Sequence, residues 1–133
     1  MPFVVDASVA AAWLMPDEHD PMAERVLDAL ASDHALAPSI WWFEIRNVLI
    51  VNERRGRIDA AASARALALL RRLPITPDAN PAEAALLDLA RRHGLTVYDA
   101  AYLELARREQ LALASLDKEL RAAAGSEGIV LLR

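Results

Sequence analysis

The chain has 133 residues, 55% of them hydrophobic, and a net charge of −4, which suits a single globular domain over 1–133 and argues against a surface built throughout for nucleic acid. With no cysteine and only three histidines, it excludes a disulfide framework, a thiolate nucleophile and a Cys-type zinc site, so any metal would be bound by oxygen. No apolar run approaches the roughly 20 residues that span a bilayer, and the N-terminus lacks a basic region followed by a long apolar segment, so a cytoplasmic protein without membrane contact is expected.

In chain order, Val4 and Val5 form a short apolar run that Asp6 stops, where a buried strand would emerge into a loop. Asp6 is equally placed to cap a helix from Ala7 to Leu14. Met15-Pro16-Asp17 breaks that helix, and Pro21 opens a second one to about Ser32. A short strand over Ala35 to Ala37 ends at Pro38. Ser39 then caps a long helix to Arg55, which Gly56 terminates. Asp59 starts another helix ending at Pro74, and Ile75 and Thr76 suggest a further strand. Asn80-Pro81-x-Glu83 reads as N-cap, first helical residue and third-position acid of a helix running to His93, with Gly94 as its stop. A helix from about Tyr98 to Glu109, a strand from Leu111 to Ser115, a short helix from Asp117 and a last strand from Ile129 to Leu132 complete the chain. Strands alternating with helices predict an α/β domain of three layers, a central parallel sheet flanked by helices and joined by right-handed crossovers.

Two acids, Asp6 and Asp117, stand just after strands, where open α/β sheets bind their ligands. Glu44 lies in the helix from Ser39 between Trp41 and Val48, on a largely apolar face where an unpaired carboxylate is expensive to bury. It either pairs with Arg46 or water, or serves a site. Asn47, one turn on, shares its face. Asp99 sits three residues after Thr96, as in a capping box, and is enclosed by Val97, Tyr98 and Tyr102. In the α/β fold all four acids are able to face one crevice.

Carboxylates brought within about 4 to 6 Å raise one another's pKa, so such a cluster takes up protons or binds cations. Mg²⁺ prefers oxygen ligands and keeps several waters, which suits metal-assisted phosphodiester hydrolysis. The basic residues are nearly all Arg and scattered in pairs, apart from the cluster Arg54, Arg55 and Arg57; Lys118 is the single Lys.

Four blocks, VVDASVAAAWLMPDE at 4–18, PSIWWFEIRNVL at 38–49, LTVYDAAYLELA at 95–106 and LASLDKEL at 113–120, resemble in order and spacing the PIN-domain ribonucleases, and within them the VapC-type toxins of bacterial toxin-antitoxin pairs. The resemblance runs from end to end. It implies an acidic metal site at Asp6, Glu44, Asp99 and Asp117, with Ser8 and Ser115 as hydroxyl supports and Asn47 beside Glu44. It also implies Mg²⁺ or Mn²⁺ dependence, RNA cleavage leaving a 5′-phosphate, a homodimer, and neutralisation by a cognate VapB-type antitoxin. Some relatives carry a Lys before the Trp of the first block, where this chain has Ala12.

A negative pocket beside exposed apolar surface invites a partner that docks hydrophobically and inserts an Arg among the carboxylates. The expected groove lies between the first helices and the helix from Ser39, with Trp13 or Trp42 on its rim, leading towards Asp6 and Asp99. Two other readings compete: an inactive PIN-like RNA- or protein-binding module, and a receiver-type phosphorylation switch. A receiver usually has an acidic pair after its first strand and a Lys after a late one; here Asp6 stands alone and Lys118 follows an Asp.

Overall fold

The computed structural model describes residues 1–133. Four parallel strands, β1 (Phe3–Val5), β2 (Ala35–Pro38), β3 (Ile75–Asp78) and β4 (Ala112–Ala114), form one sheet in the order β3-β2-β1-β4. Seven helices surround it: α1 (Ala7–Leu14), α2 (Pro21–Ala29), α3 (Ile40–Arg54), α4 (Ala60–Leu70), α5 (Glu83–His93), α6 (Val97–Glu109) and α7 (Lys118–Ser126). The three-layer parallel architecture is thus as expected.

The strands are short and apolar because both faces are covered, so alternation gives way to continuous burial. Val4 points into one core with Leu89, Tyr102, Leu103, Leu113 and Leu120, under α5, α6 and α7. Phe3 and Val5 point into the other with Val9, Val26, Leu30 and Ala37, under α1 and α2. A third small cluster of Ala10, Ile45 and Leu70 joins α1, α3 and α4. Truncating a fully buried leucine such as Leu103 to Ala costs about 2 to 5 kcal/mol in such settings.

Four sequence expectations are corrected. Ser39 occupies the N-cap position of α3, but its own backbone is already helical (φ −58°, ψ −26°) and its hydroxyl makes no capping bond. Asn80 does not cap α5, which begins at Glu83 with Ala82 at the cap. The Asn80 N–H instead lies 3.4 Å from Asp78 Oδ2, so the acid that ends β3 holds that turn. Helix α2 stops at Ala29, its last turn running on as turns to Ser32. The segment 129–132 makes a single bridge, Leu113 to Leu131, rather than a full strand, with Leu113 N–H donating to Val130 O and Leu132 N–H to Leu113 O, both at 2.9 Å.

Gly94 ends α5 as expected, in the left-handed conformation (φ 62°) that a Cβ disfavours. Buried Glu104 is satisfied one turn on by Arg108, whose Nε donates to Oε2 at 2.8 Å and whose Nη2 reaches Asp78 Oδ2 at 2.6 Å, tying α6 to the end of β3. No helix is long and apolar enough to cross a membrane.

Candidate active site

The strand order reverses between β2-β1 and β4, so the crevice at the carboxyl ends of β1 and β4 is the switch point at which open α/β sheets place ligands. Asp6 leaves β1 there, and Ser115 to Asp117 leave β4. Asp6 is only 4% exposed, and it takes the capping role expected of it. Its Oδ1 caps α1 by accepting from Val9 N–H at 3.2 Å and also accepts from Ser8 Oγ at 2.6 Å, while Oδ2 accepts from Ser115 Oγ at 2.5 Å. The two hydroxyls are themselves pinned, Ser8 by Leu116 N–H at 2.9 Å and Ser115 by Asp117 N–H at 3.0 Å. Strand β4's exit therefore holds the acid of β1 in one orientation.

Asp117 caps α7, one oxygen accepting from Leu120 N–H at 3.0 Å, which leaves the other free. Thr96 Oγ accepts from Asp99 N–H at 3.1 Å, fixing Asp99 in the first turn of α6. Glu44 does not pair with Arg46. That guanidinium folds back over Trp42, 3.8 Å from the ring centroid, and donates to the Trp42 carbonyl. Glu44 Oε1 instead accepts from Tyr102 Oη at 2.5 Å. Tyr102, which the sequence marks only as a neighbour of Asp99, stands three residues beyond it on the same helix, spacing that marks a shared face, but only the tertiary fold reveals its bond to Glu44.

Burial dominates the electrostatics of three of the acids, and their acidic neighbours add to it. Asp6 is raised above the ordinary carboxylate range by burial, against the pull of Ser115, Ser8 and Val9, and Asp117 adds to the rise. Glu44 is raised by burial, with Tyr102 opposing and Asp99 and Asp6 adding repulsion. Asp99 is raised by burial and then by Asp117. Two hydrogen bonds tie these elements together, Ser115 joining the exit of β4 to Asp6 and Tyr102 joining α6 to Glu44 on α3.

No three His, Asp or Glu side chains close around a point as a ready-made cage. The chemistry of the donor set nevertheless fits a hard divalent cation, since every candidate ligand is an anionic oxygen. Asn47 is exposed beside this edge and makes no side-chain hydrogen bond to the acids.

The two tryptophans stand apart. Trp13 lines a groove of about 300 Å³ between α1, α3 and α4, with Leu14, Leu49, Ala66 and Leu69, and donates its indole N–H to Ala23 O at 2.7 Å. Neither Trp42 nor any of the four acids lines that groove. Trp42 is 51% exposed on α3, edge-on to Phe43 with ring centroids 5.0 Å apart.

Residues 3–126 match the PIN domain family. Ribonuclease VapC3 of Pyrobaculum aerophilum is 35% identical over 124 residues, covering 90% of this chain and 92% of that relative. The crystal structure of PAE2754 from Pyrobaculum aerophilum has a TM-score of 0.73 at 26% identity, over 92% of this chain and 84% of that one. A toxin-antitoxin complex from Klebsiella pneumoniae has a TM-score of 0.66 at 18% identity over 98% of each chain, a likeness of fold.

Proposed function

The chain belongs to the PIN-domain family, and from that membership and its four-acid edge we propose that residues 1–133 are one endoribonuclease domain, the toxin of a toxin-antitoxin pair. The observation that carries the chemistry is the placement of four carboxylates at the switch point, with Asp6 held by Ser8 and Ser115, Glu44 by Tyr102, Asp99 in the first turn of α6 and Asp117 at the cap of α7, an all-oxygen anionic set that favours a bound cation. A divalent ion held by these residues, Mg²⁺ or Mn²⁺, would polarise a phosphate oxygen and lower the pKa of an attacking water.

The protein's own part is preorganisation. Ser8 and Ser115 hold both oxygens of Asp6, so this acid needs no reorientation when a phosphate arrives. Tyr102 does the same for one oxygen of Glu44, and the cap of α7 for one oxygen of Asp117, leaving the second oxygen of each for a cation or a water. Asp99 stands at the N-terminal turn of α6, the half-exposed side from which a phosphodiester would enter. The substrate is RNA, the working compartment the cytoplasm, and the assembly a homodimer silenced by a cognate VapB-type antitoxin. The relatives' names support this reading: one is a ribonuclease, and another belongs to a toxin-antitoxin complex.

Incubating purified chain with an RNA pool, with and without chelator, and sequencing the new 5′ ends tests the proposal. Cleavage that requires Mg²⁺ or Mn²⁺, leaves 5′-phosphates and disappears in Asp99→Asn is expected; cleavage that survives chelation or that substitution contradicts it.

A further inference from the structure

A nuclease site of four carboxylates on a chain of net charge −4 must still hold a polyanion. Beside that site the surface changes sign. An open pocket of about 470 Å³ between the start of α2 and α7 is lined by Arg25, Lys118, Arg121 and Arg133, with Asp20 its single acid. Asp20 offsets only one of the four cations, and it faces its own helix, its Oδ1 capping α2 by accepting from Met22 and Ala23 N–H at 2.9 and 3.0 Å. The chain's ion pairs are all made by other cations.

The pocket is linked to the acid edge through Ser115. Arg121 Nη1 donates to Ser115 O at 3.0 Å, and Ser115 Oγ donates to Asp6 Oδ2 at 2.5 Å, so one residue separates the cation from the buried acid. Lys118 follows Asp117 and opens α7. The parallel bridge Leu113 to Leu131 sets Arg133 level with Ser115, at the same carboxyl edge.

We propose that this pocket is a phosphate subsite that grips the backbone of single-stranded RNA next to the bond to be cut. The inference rests on the nuclease reading above and gives its substrate a path. Guanidinium forks of Arg25 and Arg121 match phosphate oxygens bidentately, and Lys118 supplies a point charge. A strand held there reaches Asp6 and Asp99 by passing over Asp117. Because the pocket's charged groups address phosphates, its grip is independent of base sequence.

The test uses the Asp99→Asn chain, a labelled single-stranded RNA of mixed sequence, and anisotropy across a KCl series. Removing Arg25 and Lys118 together (Arg25→Ala with Lys118→Ala) should weaken binding about tenfold at low salt. It should also flatten the dependence of log K on log[salt] by about 1.4, from ~0.7 per phosphate contact on a single strand. Both side chains are exposed, so the fold is not at stake. Removing the same charge outside the pocket, with Arg72→Ala and Arg91→Ala, should leave the slope of the parent. On the Asp99-bearing chain the pocket pair should act through KM far more than through kcat.

An unchanged slope for the pocket pair, or an equal loss for the control pair, overturns the subsite. So does a polyglutamate peptide whose binding depends on the pocket while RNA binding does not, which would mark an acidic protein segment as the occupant. Binding is read without cleavage, so the two proposals fail separately. A chain that cuts RNA with an unchanged slope loses only the subsite, and one that cuts nothing yet shows the slope change loses only the nuclease.

Discussion

Tyr102 Oη stands 2.5 Å from Glu44 Oε1 across 58 residues of sequence, joining the first turns of α6 to α3 in the acid crevice. Tyr102 is 1% exposed, and burial first, then its bond to Glu44, holds its hydroxyl protonated as a permanent donor. Tyr102→Phe keeps the ring and removes that donor, leaving a half-buried carboxylate without its hydrogen bond. At neutral pH the substitution should cost about 1 to 3 kcal/mol in denaturant unfolding, and less once acid protonates Glu44. A double-mutant cycle with Glu44→Gln should show coupling of the same order. Absence of coupling would mean that the bond adds nothing to the fold.

Asp6 and Asp99 should respond oppositely to the same change. Asp6 accepts from three donors, and Ser115 Oγ is already committed to Asp117 N–H. An Asn amide there turns a donor towards donors, so Asp6→Asn should lose about 1 to 3 kcal/mol. Asp99 has no such set of donors and suffers repulsion from Asp117 and Glu119, so Asp99→Asn should leave the fold intact or slightly stabilised. Both should abolish metal-dependent cleavage. Equal thermal midpoints for the two variants would contradict the proposed difference in support.

How far this site can be read from the sequence depends on whether each contact is local. Asp6 and Asp117 are legible because an apolar run ending in an acid marks a strand's exit, and Thr96 to Asp99 because a cap is a three-residue relation. The bond from Tyr102 to Glu44 is not, since it exists only once α3 and α6 flank one crevice. Asn80-Pro81 misleads for a related reason: Asp78 takes the Asn80 N–H, a competition that capping preference alone does not weigh. Glu104 and Arg108 show an ordinary i, i+4 spacing, but the spacing says nothing of their burial or of Asp78 completing the group.

Stability of the metal-free chain should fall as pH rises above the ordinary carboxylate range. Asp6, Glu44 and Asp99 are all held above that range, burial being the largest cause for each. The folded chain then binds protons more tightly than the unfolded one, so stability is full below the unfolded pKa values and declines as pH rises through the folded ones. With chelator present, the thermal midpoint should be higher at about pH 5 than at about pH 8, and Asp99→Asn should reduce the difference. Asp33 and Glu127, held low chiefly by the N-terminal amine and by His93, act in the opposite sense, and their stabilisation is lost only as pH falls below the ordinary range. Mg²⁺ or Mn²⁺ at the higher pH should recover the midpoint by mass action. A midpoint insensitive to the ion there would count against the metal site.

The antitoxin surface is best tested at Trp42. Trp13 is the poorer probe, because its indole N–H holds Ala23 O and its ring fills the space between α1 and α4, so Trp13→Ala mixes lost packing with lost binding. Trp42 touches Phe43 and Arg46 on the surface of α3, where Phe43 and Ile50 are also exposed, an apolar face of the kind that proteins use for partners. Trp42→Ala should therefore change unfolding stability by no more than about 0.5 kcal/mol, the usual range for surface positions. If the antitoxin covers it, the same variant should weaken the complex by about 2 kcal/mol, roughly 30-fold in Kd by titration calorimetry. Trp42 lies outside the groove that Trp13 lines, so the two tryptophans probe different surfaces. Wild-type affinity in Trp42→Ala, with a shift from dimer to monomer in sedimentation, would assign this face to the second copy instead and leave the Trp13 groove as the antitoxin's seat.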